Sequence, residues 1–285
     1  MGVTALETFY ETIKQATLSK IPFLSGEPLN PVEDPAGRGT RERLQIMIKS
    51  MITIKKFQFT PHSLSGQRLM EMFDLLFAHF GPQNWWPAKT ELEVMIGAIL
   101  TQNTNWTNVE KAISNLKNKD LVSLNRLVSL SVEDLAEEIR PAGYYNIKAK
   151  RLKNLINFIF DQYDGDLAGL LQEETDRLRE GLLSVNGVGP ETADSIILYA
   201  AKRPLFVVDA YTHRILSRHV MAGEEATYDD LQGLFMDHLP EDAPLFNEFH
   251  ALIVLTGKNY CRKNPLCEDC PLNRWGPQEN INDMI

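Results

Sequence analysis

The chain has 285 residues, 44% hydrophobic and 24% charged, with a formal net charge of −9 and a pI near 5.3. That length can bury one large core or two lobes. The acidic sum argues against a generic nucleic-acid coat protein but not against a site-specific DNA enzyme, because the distribution of charge decides rather than its total.

No apolar run approaches the ~20 residues that span a bilayer. The N-terminus shows no basic and apolar leader pattern. The three cysteines all fall within Cys261–Cys270, which favours a reducing compartment over a disulfide framework. A cytoplasmic protein without membrane contact, nucleoid-associated in a bacterium, is expected.

Residues 1–60 are punctuated by Pro22, Gly26, Pro28, Pro31, Pro35, Gly37 and Gly39, a pattern too broken for long helices. Helical patterns flank that stretch near 3–18 and 40–55. The segment reads as an accessory or partly disordered extension, or as an ordinary packed lobe. From Ser63 onward the pattern is helical throughout. The stripe Leu69, Met70, Met72, Phe73, Leu75, Leu76, Phe77 ends at Gly81-Pro82. Leu92–Leu100 and Val109–Leu116 follow, then Val132–Ile139 behind an Ser131 N-cap and ahead of Pro141. Ile147–Tyr163 is a long helix with a basic face. Arg177–Ser184, Thr192–Ala201, Tyr211–His219, Tyr228–His238 and Leu245–Cys261 complete the series. Convincing period-2 strands are absent, and the expected class is all-α. The domain expected spans 61–272, with a tail over 273–285.

Basic residues are clustered. Arg140, Lys148, Lys150, Arg151 and Lys153 occur without an intervening acid, and Lys202-Arg203, Arg214 with Arg218, and Lys258, Arg262 and Lys263 form further groups. The acids concentrate elsewhere, at Glu133–Glu138, Glu173–Asp176 and Glu224–Asp230.

The stretch Leu183-Ser184-Val185-Asn186-Gly187-Val188-Gly189-Pro190-Glu191 lies between two apolar-periodic runs. Glycine reaches φ > 0 without a Cβ clash, so Gly187-Val188-Gly189 reads as a tight hairpin over 183–192 whose backbone can touch something bulky. Pro190 suits a first helical position. Backbone N–H groups at such a helix start favour an anion. Eighteen positions after Glu191, Asp209 follows the apolar Leu205-Phe206-Val207-Val208. Asp209 reads both as a helix N-cap and as a carboxylate able to stabilise oxocarbenium character at a sugar carbon and orient water.

Gly187-Val188-Gly189 followed by Val207-Val208-Asp209 resembles the helix-hairpin-helix, Gly/Pro-rich loop and aspartate signature of the endonuclease III superfamily of DNA glycosylases. The likeness extends to Ala98-Ile99-Leu100-Thr101-Gln102-Asn103-Thr104, to Gly143-Tyr144-Tyr145-Asn146-Ile147-Lys148-Ala149-Lys150-Arg151 and to the terminal cysteines, roughly 65–272. It implies two interleaved helical lobes, double-stranded DNA with a damaged base in the cleft, and a flipped nucleotide between the lobes. A monomer is expected. Gly187 and Gly189 would grip a phosphate, with Lys148, Lys150 and Arg151 as further DNA contacts. Gln102 would fill the gap left by the flipped base. The carbonyls of Leu183, Val185 and Val188 would hold a monovalent cation, Na+ or K+. Bifunctional members carry a lysine where this chain has Glu191, and that lysine forms the Schiff base needed to cut the strand. Glutamate cannot, so the departure implies a monofunctional glycosylase acting through Asp209. Lys202 could in principle substitute, but reads better as solvated.

Trp85, Trp86 and Trp106 lie within 22 positions. Tryptophan packs well in cores, yet Trp85-Trp86-Pro87 does not fit one helical stripe, so at least one ring should face a cavity. An aromatic cavity suits an electron-poor alkylated purine. Together with Arg140-Pro141-Ala142-Gly143, this run is similar to the 3-methyladenine glycosylase branch of the superfamily, where the counterparts of Trp85, Trp86, Pro87 and Trp106 line the base pocket. The alternatives kept open are an endonuclease III-type glycosylase/lyase for oxidised or mismatched pyrimidines, and a non-catalytic DNA-binding helix-hairpin-helix module.

Cys261, Cys267 and Cys270 resemble the start of the family's four-cysteine iron–sulfur loop. The first interval is one residue short, and the fourth position falls near Gly276. A cubane needs four thiolates and a structural zinc site four ligands, and His250 could contribute only by folding back. A degenerate metal-free loop and an incomplete 4Fe–4S or other metal site are both open. No cofactor is certain. Asp194 and Tyr199 are further candidates for orienting the site, while His213, His219 and His238 read as structural.

Overall fold

The computed structural model describes residues 63–276, so the reading of residues 1–60 lies outside it. Twelve α-helices are described: α1 (Leu64–Phe80), α2 (Glu91–Leu100), α3 (Trp106–Asn118), α4 (Leu124–Ser129), α5 (Val132–Glu138), α6 (Tyr145–Tyr163), α7 (Leu167–Gln172), α8 (Thr175–Ser184), α9 (Pro190–Tyr199), α10 (Ala210–Arg218), α11 (Tyr228–Met236) and α12 (Ala243–Asn259). One 3-10 turn, Arg140–Ala142, precedes α6. No strand occurs among the described residues, in agreement with the all-α expectation.

Helix α1 shows how the pattern becomes structure. Leu69, Met72, Phe73 and Leu76 are buried at helical spacing, Ser63 Oγ accepts from Gly66 N, and Gly81 ends the helix at φ 69°. Helices α2 and α9 are different. All residues of α2 after Glu91, and all of α9 from Thr192, are buried, so these two run through the interior. Helix α9 packs against α2, α8 and α12. Helix α1 packs against α11 and α12, and α10 against α12, while α2 packs against α3 and α6. The chain therefore starts one layer with α1, builds a second with α2–α8, and returns through α9 to complete the first with α10–α12.

Several boundaries differ from the sequence reading. Helices α4 and α7 have six residues each, with Leu127 and Leu170 as their one buried residue, too few to show a period. Leu205–Val208 belongs to no helix or strand and leads to the Asp209 cap of α10, whose own backbone is extended. The tail does not begin at 273. Trp275 is 4% exposed, its indole N–H donates to Arg68 O at 3.1 Å, and its own carbonyl accepts from His219 Nδ1 at 2.5 Å. A buried indole anchors the chain to that point.

Candidate functional site

The hairpin joins α8 to α9. Gly187 has φ 95°, and a Cβ there would stand 2.2 Å from Arg151 Cγ, so both backbone and space require glycine. Gly189 does not share the left-handed turn. Its φ is −101°, and a Cβ would meet nothing within 4 Å. Gly189 instead leaves open space at the start of α9, with Pro190 in the first turn. Gln102 crosses to the hairpin. Its Nε2 donates to Gly187 O at 3.1 Å and to Thr192 Oγ1 at 3.0 Å, and its Oε1 accepts from Arg151 Nη1 at 2.5 Å. Gln102, Arg151, Gly187–Thr192 and Tyr228 line an open cavity of about 540 Å³.

Asp209 lies beside this cavity's helix. Its Oδ1 accepts from Thr212 N at 2.8 Å and Thr212 Oγ1 at 2.9 Å. Thr212 Oγ1 in turn faces the Asp209 N–H, which completes a capping box. The side chain is 10% exposed, and its other oxygen, Oδ2, lies 3.8 Å from His250 Nε2. His250 Nδ1 is 2.5 Å from the Tyr199 hydroxyl. The surrounding protein and then the Asp209 charge push the Glu191 carboxyl up from 4.5 to about 7. Burial, then the Asp209 and Glu248 charges, push the Tyr199 hydroxyl up.

The three tryptophans come together. Ring centroids are 5.7 Å apart for Trp85–Trp86, 5.5 Å for Trp85–Trp106 and 5.2 Å for Trp86–Trp106. Trp86 packs 5.0 Å from Tyr199 and lies against Gly97 of α2, where a Cβ would stand 3.0 Å from the indole. Pro87 is exposed at the edge of this cluster. Glu248 Oε1 accepts from Gln83 N at 2.6 Å, tying α12 to the segment that carries Trp85 and Trp86. The indole N–H groups of all three tryptophans are buried without an acceptor.

The basic group divides. Lys150 is exposed. Lys148 is 1% exposed, and its Nζ donates to Leu100 O and Ala142 O, both at 2.8 Å. Its expected role as a DNA contact is therefore corrected: the ammonium is consumed inside the protein, capping the C-terminal ends of α2 and the 3-10 turn at once. Lys153 is likewise spent on the carbonyls of Leu127, Val128 and Leu130. Asp194 is fully buried and accepts from Arg179 Nε at 2.7 Å, Tyr228 OH at 2.7 Å and Gln232 Nε2 at 2.7 Å. It knots α8, α9 and α11 together rather than facing the cavity.

Leu183 is half-buried, and Val185 and Val188 are buried, with Val185 O accepting from Val188 N at 3.0 Å. Cys261 is buried, Cys267 exposed and Cys270 between. Arg218 Nη1 points at Cys261 Sγ at 3.3 Å, and Arg214 Nε donates to Cys261 O at 2.7 Å. Burial pushes the Cys270 thiol up. Among the described residues no three His, Cys, Asp or Glu side chains are grouped to hold a metal ion. The sequence has three cysteines, one fewer than the four thiolates a 4Fe–4S cluster takes, and His250 turns toward Asp209 instead of the cysteines. Thr212 and Glu248 are site residues missed in sequence, and His250, considered there only as a metal ligand, faces Asp209 instead. A histidine in an apolar helix carries little signal until the facing carboxylate is placed.

Residues 96–241, just over half of the chain, match the family model of the HhH-GPD superfamily of base excision DNA repair proteins. A Methanocaldococcus jannaschii protein bearing the name of a DNA repair glycosylase is 48% identical over 211 residues, 73% of this chain and 96% of its own length. The crystal structure of the H. pylori 3-methyladenine DNA glycosylase bound to 1,N6-ethenoadenine superposes with TM-score 0.58 at 33% identity, covering 68% of this chain and 97% of that one. A trapped endonuclease III–DNA covalent intermediate gives TM-score 0.64 at 21% identity over 75% and 96% of the two chains, a likeness of fold. Among the described residues no helix is long and apolar enough to cross a membrane.

Proposed function

The chain belongs to the HhH-GPD superfamily of base excision DNA repair proteins and is a DNA glycosylase, and from that premise we propose that it is monofunctional, releasing alkylated purines of the 3-methyladenine kind and leaving an abasic site. The observation that carries this reading is Glu191. A carboxyl stands at the head of α9, beside Asp209, where strand cleavage needs an amine. Lys202 is not available to replace it, because its Nζ donates to Tyr199 O at 2.5 Å.

In this reading the open space at Gly189 and the N–H groups at the start of α9 take a DNA phosphate, and Lys150 adds an exposed charge. Gln102 and Arg151 stand at the mouth of the groove. The flipped base enters against Trp85, Trp86 and Trp106, whose faces attract a cationic ring. The N-glycosidic bond breaks, and the base leaves with the bonding electron pair. For 3-methyladenine this neutralises the positive ring, so little acid catalysis is required. The carboxylate of Asp209 stabilises the positive sugar carbon through Oδ2 while Oδ1 stays in the cap. Water adds at C1′ and passes its proton to the Asp209 carboxylate, which returns it to solvent. The 33% identity to a glycosylase crystallised with an alkylated adenine supports the choice of base. The carbonyls of Leu183, Val185 and Val188 are proposed to bind a monovalent cation behind the hairpin.

The competing reading is a glycosylase/lyase. One observation favours it: Lys258 is within electrostatic reach of Asp209, and burial pushes its ammonium down, as an amine nucleophile requires. The test is release of free base from duplexes carrying 3-methyladenine, ethenoadenine, thymine glycol or a G·T mismatch, in the wild type and in Lys258→Met. Preferential release of 3-methyladenine, unchanged in Lys258→Met, is expected. Preference for thymine glycol or thymine, or loss of activity in Lys258→Met, would overturn the reading.

A further inference from the structure

The two oxygens of Asp209 are unequal. Oδ1 is spent on Thr212 N and Oγ1. Oδ2 is the oxygen left to act, and the group that faces it is His250 Nε2 at 3.8 Å. That nitrogen is buried and has no hydrogen-bond partner. The other ring nitrogen, Nδ1, lies 2.5 Å from the Tyr199 hydroxyl. Tyr199 is fully buried on α9 and His250 is 6% exposed on α12, so the three groups form a water-poor row from one layer to the other.

The chemistry of the row fixes its protons. Burial disfavours imidazolium and phenolate alike. A neutral imidazole has one N–H and one lone pair. A protonated Tyr199 donates to Nδ1, which leaves the N–H on Nε2, aimed at the Asp209 carboxylate. The opposite tautomer would set a lone pair against a negative oxygen. A buried N–H without an acceptor is costly, and here a shift below one ångström would bring it within hydrogen-bond range of Oδ2. Tyr199 also packs on Trp86 at 5.0 Å, so one wall of the tryptophan cluster touches the far end of the row.

We propose that His250, held in one tautomer by Tyr199, is a positioning residue that orients the free oxygen Oδ2 of Asp209. The proposal rests on the glycosylase reading above. The charged and titratable groups around the row are Asp209 and Lys258, which act on His250, Asp209 and Glu248, which act on Tyr199, and Glu191, on which Asp209 acts. None of them supplies an N–H to Oδ2.

The test is single-turnover release of 3-methyladenine across pH 5.5–8.5, with DNA affinity and thermal midpoint measured alongside, in full-length wild type, His250→Phe, His250→Gln and Tyr199→Phe. His250→Phe is expected to slow release about 100-fold, the scale of a misplaced reacting group, with DNA affinity unchanged. His250→Gln, which keeps an amide N–H, should recover most of that loss. Tyr199→Phe should lose about tenfold and gain an acid limb, because Nδ1 becomes free to protonate. A folded His250→Phe with wild-type rate, or a His250→Gln no better than His250→Phe, overturns the proposal. If the histidine variants do not fold, Tyr199→Phe decides: an unchanged rate and pH profile overturns it. A wild type that releases no methylated base from any duplex would instead overturn the glycosylase substrate reading, and the positioning role with it.

Discussion

Arg151 Nη1 donates to Gln102 Oε1 at 2.5 Å while Gln102 Nε2 holds the Gly187 carbonyl. The residue expected to fill the gap left by a flipped base is thus moored to the hairpin before any base is flipped. Hydrogen bonds from a charged donor contribute ~1.5–3 kcal/mol. Arg151→Met should lower stability to urea by about 2 kcal/mol. In that background Gln102→Ala should cost less than it does in the wild type, losing only its bonds to Gly187 O and Thr192 Oγ1. Additive losses in the double variant would show the two residues are not coupled.

Lys148 gives a prediction on a different axis. Its ammonium joins Leu100 O, which precedes Thr101-Gln102, to Ala142 O, which precedes Gly143-Tyr144. Lys148→Met leaves two buried carbonyls without a donor and should cost about 2–4 kcal/mol. Burial holds Lys148 down to about 8 from 10.5. Between those values the unfolded chain binds more protons than the folded one, so this residue's contribution to stability rises with pH across that window. The wild type should gain on Lys148→Met in denaturant titrations from pH 8 to pH 10. A constant difference would contradict the placement.

Asp209 carries two duties that a single substitution separates. Asparagine caps helices about as well as aspartate, so Asp209→Asn should stay within about 1 kcal/mol of wild-type stability. Base release should nonetheless fall about 10²–10³-fold, the scale set by loss of an electrostatic stabiliser. Activity that survives in a folded Asp209→Asn would remove Asp209 from the chemistry.

Glu191 faces the groove proposed to receive a phosphate, with its carboxyl pushed up to about 7. Below that value it is neutral and tolerates the anion. Above it, a second negative charge opposes the phosphate. DNA affinity at low salt should therefore drop between pH 6 and pH 8 by more than in Glu191→Gln. Equal pH dependence in the two proteins, measured by fluorescence anisotropy, would place Glu191 away from the backbone.

Much of this was legible in sequence for physical reasons. Helices α1, α6 and α10 carry their apolar residues at helical spacing, and Gly187-Val188-Gly189-Pro190 with Asp209 supplied local turn and cap chemistry that does not depend on distant partners. Helices α4 and α7 were not legible because six residues cannot display a period. Lys148 looked like surface charge because a basic run does not reveal which member turns inward. The Asp209–His250–Tyr199 row was invisible because it joins α9, α10 and α12, and only tertiary packing brings Tyr199 and His250, 51 residues apart, to hydrogen-bond distance. Of the two hairpin glycines, the sequence does not show that Gly187 alone takes the left-handed turn and that Gly189 leaves open space.

The central claim is that this protein breaks the bond to the base and leaves the strand intact. The direct measurement uses one duplex with a single 3-methyladenine, scored for free base and for strand breaks before and after alkali, with borohydride present in a parallel reaction. The account predicts free base, strand breaks after alkali alone, and no protein–DNA adduct trapped by borohydride. Strand breaks without alkali together with a trapped adduct would contradict it.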